Sequence, residues 1–157
     1  MSEAYLILKF AHILGAAVLF GTGLGIAFFM LMAHRSGNPA IIAHVAGRVV
    51  LADMVFTATA VILQPLTGAA LIVLAGHDAF AFWIVASIAL YVLTGACWLP
   101  VVWMQARMRD LARTAAETGG ALPQRYHRLY RLWFALGWPA FAAVIGIFAL
   151  MVWRPTL

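Results

Sequence analysis

Three ionisable side chains stand inside otherwise apolar runs of this chain: Lys9, His12 and Asp53. Ionisable groups in lipid are costly and tend to mark functional positions. Lys9 and His12 are three residues apart, so a helix places them one above the other on one face. An imidazole in that setting can ligate haem iron, pass protons, or bond a neighbouring helix. Gly15, Ala16 and Gly23 leave room beside His12 for a flat ligand. Lys9 can snorkel toward the interface or hold a carboxylate of a substrate or haem. A two-histidine iron site needs a second imidazole at similar depth, and His77 is the candidate. The sequence therefore nominates His12 and Lys9 for cofactor binding, and His12 with His77 for a metal. His34, His44 and His127 fall near the other face, roughly 20 Å or more away at about 1.5 Å per helical residue. They cannot share one iron with His12. Asp53 is expected about one turn inside its helix, paired with Arg48 or Arg131 or handling protons.

Other chemistries find little footing. Cys97 is the one cysteine, which rules out a disulfide framework and paired metal thiolates within the chain. The run Gly21-Thr22-Gly23-Leu24-Gly25 is glycine-rich but lies inside an apolar stretch with no strand before it, so it is no dinucleotide fingerprint. No phosphate loop, nucleophile elbow or HExxH pattern is present. The catalytic residues, if any, are not legible.

The elements that position these residues follow from composition. Of 157 residues, 66% are hydrophobic and 10% charged, with a mean hydropathy of +1.00. Soluble domains carry about a quarter charged residues, and a chain this short could not hide so much apolar surface from water. Runs of about 20 apolar residues span a hydrocarbon core of roughly 30 Å. Four qualify, at about 5–33, 49–75, 80–104 and 129–153, within a single membrane domain over 1–157. The expected fold is all-α, a transmembrane four-helix bundle. The first run is too long for a signal peptide, and Glu3 precedes its only lysine. Residues 105–118 lack Pro and Gly and read as a cytoplasmic extension of the third helix, ended by Gly119-Gly120.

Arginine sets the orientation. Arg35 and Arg48 lie in the first connection, and Arg107, Arg109, Arg113, Arg125 and Arg128 in the third. The turn at Gly76–Asp78 has none. Basic connections stay in the cytoplasm, so both termini are expected on the periplasmic side of a bacterial inner membrane. Basic residues that flank apolar spans do not suggest nucleic acid as a partner.

Each span also has one polar or small-residue stripe at helical spacing. The stripes are Tyr5–Lys9–His12–Ala16, Asp53–Thr57–Ala60–Gln64–Thr67–Gly68, Ser87–Tyr91–Thr94–Trp98–Gln105, and Tyr126–Tyr130–Trp133–Gly137. Polar groups facing lipid forfeit hydrogen bonds, so the stripes should meet in the bundle centre. Gly21-x-x-x-Gly25 is expected to be a helix-packing notch, and Pro65 and Pro139 to kink their helices.

The run Leu8-Lys9-Phe10-Ala11-His12-Ile13-Leu14-Gly15 is followed by Phe20-Gly21-Thr22-Gly23, Ala52-Asp53, Gln64-Pro65-Leu66-Thr67-Gly68 and Pro139-Ala140-Phe141. Together these segments resemble the bacterial integral membrane family known as domain of unknown function 2269, over nearly the whole chain. The opening Lys-x-x-His is also similar to the start of the four-helix membrane protoporphyrinogen oxidase family, which binds haem b, and loosely to copper-resistance membrane proteins. That similarity implies His12 as the first-helix haem histidine.

Three functions follow as expectations. One is a b-type haem protein linked to redox chemistry, exchanging electrons with a quinone. Another is a non-catalytic membrane subunit or assembly factor of a larger complex. The third is a small transporter or ion pathway using Asp53, Gln64 and Lys9, which would need a homo-oligomer.

Overall fold

Long apolar runs punctuated by glycine dictate long helices joined by tight corners. In the computed structural model, which describes residues 2–155, α1 spans Glu3–Ser36, α2 Pro39–Ala52, α3 Ala58–Ala75, α4 Phe82–Thr118 and α5 Gln124–Trp153. A π-helical turn over Asp53–Thr57 joins α2 and α3 into one continuous rod. That rod, α1, α4 and α5 are each long and apolar enough to cross a membrane.

The corners show why the helix boundaries depart from expectation. Gly37 ends α1 in the left-handed region, at φ 64°, and its N–H bonds the His34 carbonyl. Only glycine enters that region without strain. Asn38 then caps α2, its Oδ1 accepting from Ala40 N at 2.9 Å and Ile41 N at 3.3 Å, and Pro39 fits the first helical position, where no N–H is required. Gly-Asn-Pro is thus a complete stop and restart. The second rod begins at Pro39 rather than near 49, and the expected connection over 34–48 is mostly helix. Asp53 accordingly lies about four turns into its rod, not one. Likewise α5 begins at Gln124 rather than 129. α4 runs on without a break to Thr118. Its 37 residues measure about 55 Å, well beyond a hydrocarbon core of about 30 Å.

Packing divides the molecule into two halves. At the arginine-rich end, Met30, Ile42, Ala46, Met104, Met108, Tyr126 and Trp133 form one buried core from α1, α2, α4 and α5. Toward the other end the helices separate into pairs. α1 packs on α3 and α4 packs along α5, while α3 and α4 barely touch. The remaining circumference, including Phe10, Val73, Val92, Leu99 and Trp138, is exposed and apolar, as a lipid-facing surface must be.

Across the gap between the pairs, Phe20 of α1 packs edge-on against Phe141 and Phe148 of α5, and a hydrogen bond links α3 to α4. Pro65 has no N–H, so the Val61 carbonyl one turn earlier loses its helical partner. The Tyr91 hydroxyl on α4 donates to that carbonyl. The small residues also pack differently from expectation. Nothing lies within 4 Å of a side chain built at Gly21 or Gly25, so that notch joins no helices within the chain. Close approaches occur instead at Gly23, which meets Phe141, and at Gly15 and Gly68.

Candidate functional site

The open half of the bundle encloses a cavity of about 580 Å³ lined by all four membrane-crossing segments. Lys9 and His12 reach it from α1, Gln64 and Gly68 from α3, Ser87 and Tyr91 from α4, and Met151 from α5. Most of its wall is aliphatic. Its mouth is aromatic and basic. The Lys9 ammonium lies 5.9 Å from the Tyr5 ring centre. Trp83 receives Arg154 on its face at 5.4 Å and His77 edge-on at 5.4 Å. The cavity thus gathers all three residues nominated from the sequence, Lys9, His12 and His77, and adds Arg154 to them.

His12 is held from two sides. Its Nδ1 lies 2.8 Å from Thr67 Oγ1, and the Thr67 proton is directed at the Leu63 carbonyl at 2.8 Å. With its own proton on that carbonyl the hydroxyl can accept from the imidazole, and in that tautomer Nε2 keeps its lone pair. Ligating histidines are commonly oriented by this kind of second hydrogen bond. Gly68 lets the ring approach, since a Cβ there would sit 3.3 Å from His12 Cε1. Gln64 Nε2 donates to the His12 carbonyl at 2.8 Å and fixes α3 against α1. A Cβ at Gly15 would stand 2.5 Å from that amide nitrogen. Gly15→Ala is therefore expected to expel the amide and lower stability by about 1–2 kcal/mol. Thermal unfolding in detergent checks this, and an unchanged midpoint would mean the amide is dispensable.

Asp53 belongs to a second, separate site. It is 2% exposed and Gln105 is 1% exposed. Trp98 Nε1 donates to Asp53 Oδ1 at 3.2 Å. In the amide orientation that satisfies its neighbours, Gln105 Nε2 donates to Asp53 Oδ2 at 2.6 Å and Oε1 accepts from Trp133 Nε1 at 3.2 Å. An indole N–H only donates, so Trp133 sets the amide direction and every bond in the chain points toward the carboxylate. The expected ion pair with Arg48 or Arg131 does not form. Among the described residues the one side-chain ion pair is Arg109–Asp110 at 2.8 Å.

Aromatic residues continue from this site toward the arginine-rich end. His34 stacks on Tyr130 at 3.6 Å, and its Nδ1 lies 3.2 Å from the Tyr126 hydroxyl. Tyr130 in turn packs on Trp133 at 5.7 Å. Among the described residues, no group of three or more His, Cys, Asp or Glu side chains is arranged to hold a metal ion. A metal at His12 would thus need a ligand frame that brings its own donors.

The family described as "Predicted integral membrane protein (DUF2269)" matches residues 6–155. The chain belongs to that family. No curated protein and no solved structure matches it, and the further similarity to the haem-binding protoporphyrinogen oxidases finds no counterpart in these comparisons. This DUF2269 member is an integral membrane protein with four apolar membrane-crossing segments. Arg154 escaped the sequence reading because it sits at the end of the last span. The available signal was its position, a lone arginine at the end of the chain opposite the other eight.

Proposed function

We propose that the cavity of this integral membrane protein binds an amphipathic anionic cofactor, with haem b as the ligand that draws on all of its features. The observation that supports this is the pairing of Lys9 and Arg154 with the accessible imidazole of His12 on an otherwise apolar wall. Binding sites for small molecules are typically apolar clefts of about 300–1,000 Å³ with a few convergent polar groups. His12 Nε2 would face the iron, with His77 as the candidate second ligand, and Lys9 and Arg154 would neutralise the propionates. Bound haem supplies one-electron chemistry, for which a membrane quinone is a suitable partner. Arginine asymmetry supports placing the core end in the cytoplasm and the cavity mouth on the periplasmic side of a bacterial inner membrane.

The ion-pathway reading has less to draw on, because Lys9 and Gln64 line the cavity while Asp53 does not. The subunit reading draws on the basic extension of α4, which carries Arg107, Arg109 and Arg113.

An absorption spectrum of protein purified from haem-replete cells tests the proposal. A Soret band is expected, absent in His12→Ala and weakened in Lys9→Ala. A colourless protein would overturn the haem reading. A colourless protein that co-purifies with a larger complex would favour the subunit role.

A further inference from the structure

Asp53 stands apart from the cavity, and its surroundings ask how a carboxylate is tolerated there. No Lys, Arg or His nitrogen comes within 4.0 Å of it among the described residues. Each element packed around it offers little compensation. α1 has no ionisable residue between His12 and His34, and α3 has none at all. α2 offers His44 and Arg48, both exposed. α4 offers Tyr91 and the buried thiol of Cys97, then Arg107, which is exposed, and Arg109, half-buried against Gly47 but paired with Asp110 at 2.8 Å. α5 offers Tyr130, next to the exposed Arg131. The carboxyl is therefore surrounded by neutral donors only. A buried anion without a counter-charge is costly, and such groups respond by binding a proton.

A second, independent observation shows where that proton would go. Thr57 lies one π turn on from Asp53 and is 4% exposed. It lies four residues on, on the same helix face as Asp53, and its Oγ1 has no hydrogen-bond partner. Buried hydroxyls are almost always satisfied. Both residues belong to the π turn, and such turns gather at functional positions.

We propose that Asp53 is an intramembrane proton-binding site, with Thr57 Oγ1 as the acceptor for the bound proton. Binding forms one carboxylic O–H bond, directed at Thr57, while the other oxygen keeps its bond from Gln105. Release returns the carboxylate held by Trp98 and Gln105. The site takes a proton from water and needs no oxidant or reductant.

Infrared spectroscopy of the protein in phosphatidylcholine vesicles tests this, titrated from acid to alkaline pH in choline and in sodium buffers. One carboxylic-acid carbonyl band assignable to Asp53 is expected within this range. It should vanish in Asp53→Asn and rise in frequency in Thr57→Val, which removes the acceptor while keeping the shape. Absence of the band at every pH overturns the proposal. So does a band unmoved by Thr57→Val, which remains decisive should Asp53→Asn fail to fold. A response to sodium at fixed pH without any acid band would identify a metal-cation site instead and also overturns it.

Discussion

Gln105→Leu should destabilise the protein by about 2–6 kcal/mol, the scale of orphaning two buried hydrogen-bonding groups. Gln105 does two jobs with one amide. It donates to Asp53 Oδ2 and accepts from Trp133 Nε1. Leucine fills similar space but leaves a buried carboxyl short of a donor and a buried indole N–H without an acceptor. Each orphaned group costs about 1–3 kcal/mol. Trp133→Phe removes only the far end of the chain and should cost less. Thermal or denaturant unfolding in detergent micelles measures both. If Gln105→Leu unfolds with the midpoint of a lipid-facing substitution such as Leu99→Ala, the network does not hold the helices together.

A second large effect is expected where two helices share one carbonyl. Tyr91→Phe should cost about 1–3 kcal/mol, because the buried Val61 carbonyl is left with no donor. The cost depends on Pro65. In a Pro65→Ala background the helix regains the N–H that would serve Val61, and Tyr91→Phe should then cost under about 0.5 kcal/mol. The two substitutions are therefore expected to be strongly non-additive, which a double-mutant cycle reads directly. Additive behaviour would mean that the tyrosine hydroxyl does not substitute for the missing helical bond.

The spans were legible because lipid imposes a simple rule, and the four apolar runs obey it. The stripes of the last three spans were legible for a related reason: Asp53, Thr57, Ala60, Gln64, Ser87, Gln105, Tyr126, Tyr130 and Trp133 are buried, since polar groups in a membrane have few places to go, whereas in the first stripe Lys9 is exposed and Tyr5, His12 and Ala16 are half-buried. The helix starts were less clear. Composition at 39–48 looks like a connection because His44 and Arg48 interrupt it, and only the capping chemistry of Gly37-Asn38-Pro39 betrays the helix. That misplacement moved Asp53 to the interface and suggested arginine partners. The π turn had no signal in residue type, because it depends on the register between α2 and α3 once both are packed. The partnership of Gln105 with Trp133 and Asp53 joins three separate helices, and no local pattern reports on it. At the cavity, Lys9, His12 and His77 were nominated one at a time, while the space between them arises from helices that part company.

The division into a packed half and an open half makes the molecule a lever. The core at the arginine-rich end acts as the fulcrum, and the helix pairs are the arms. A rotation of one degree at the fulcrum moves points about 30 Å away by about 0.5 Å. Displacements therefore concentrate at the far tips, where Tyr5, Trp83 and Arg154 stand. Any such rotation would change the width of the mouth more than any dimension of the core.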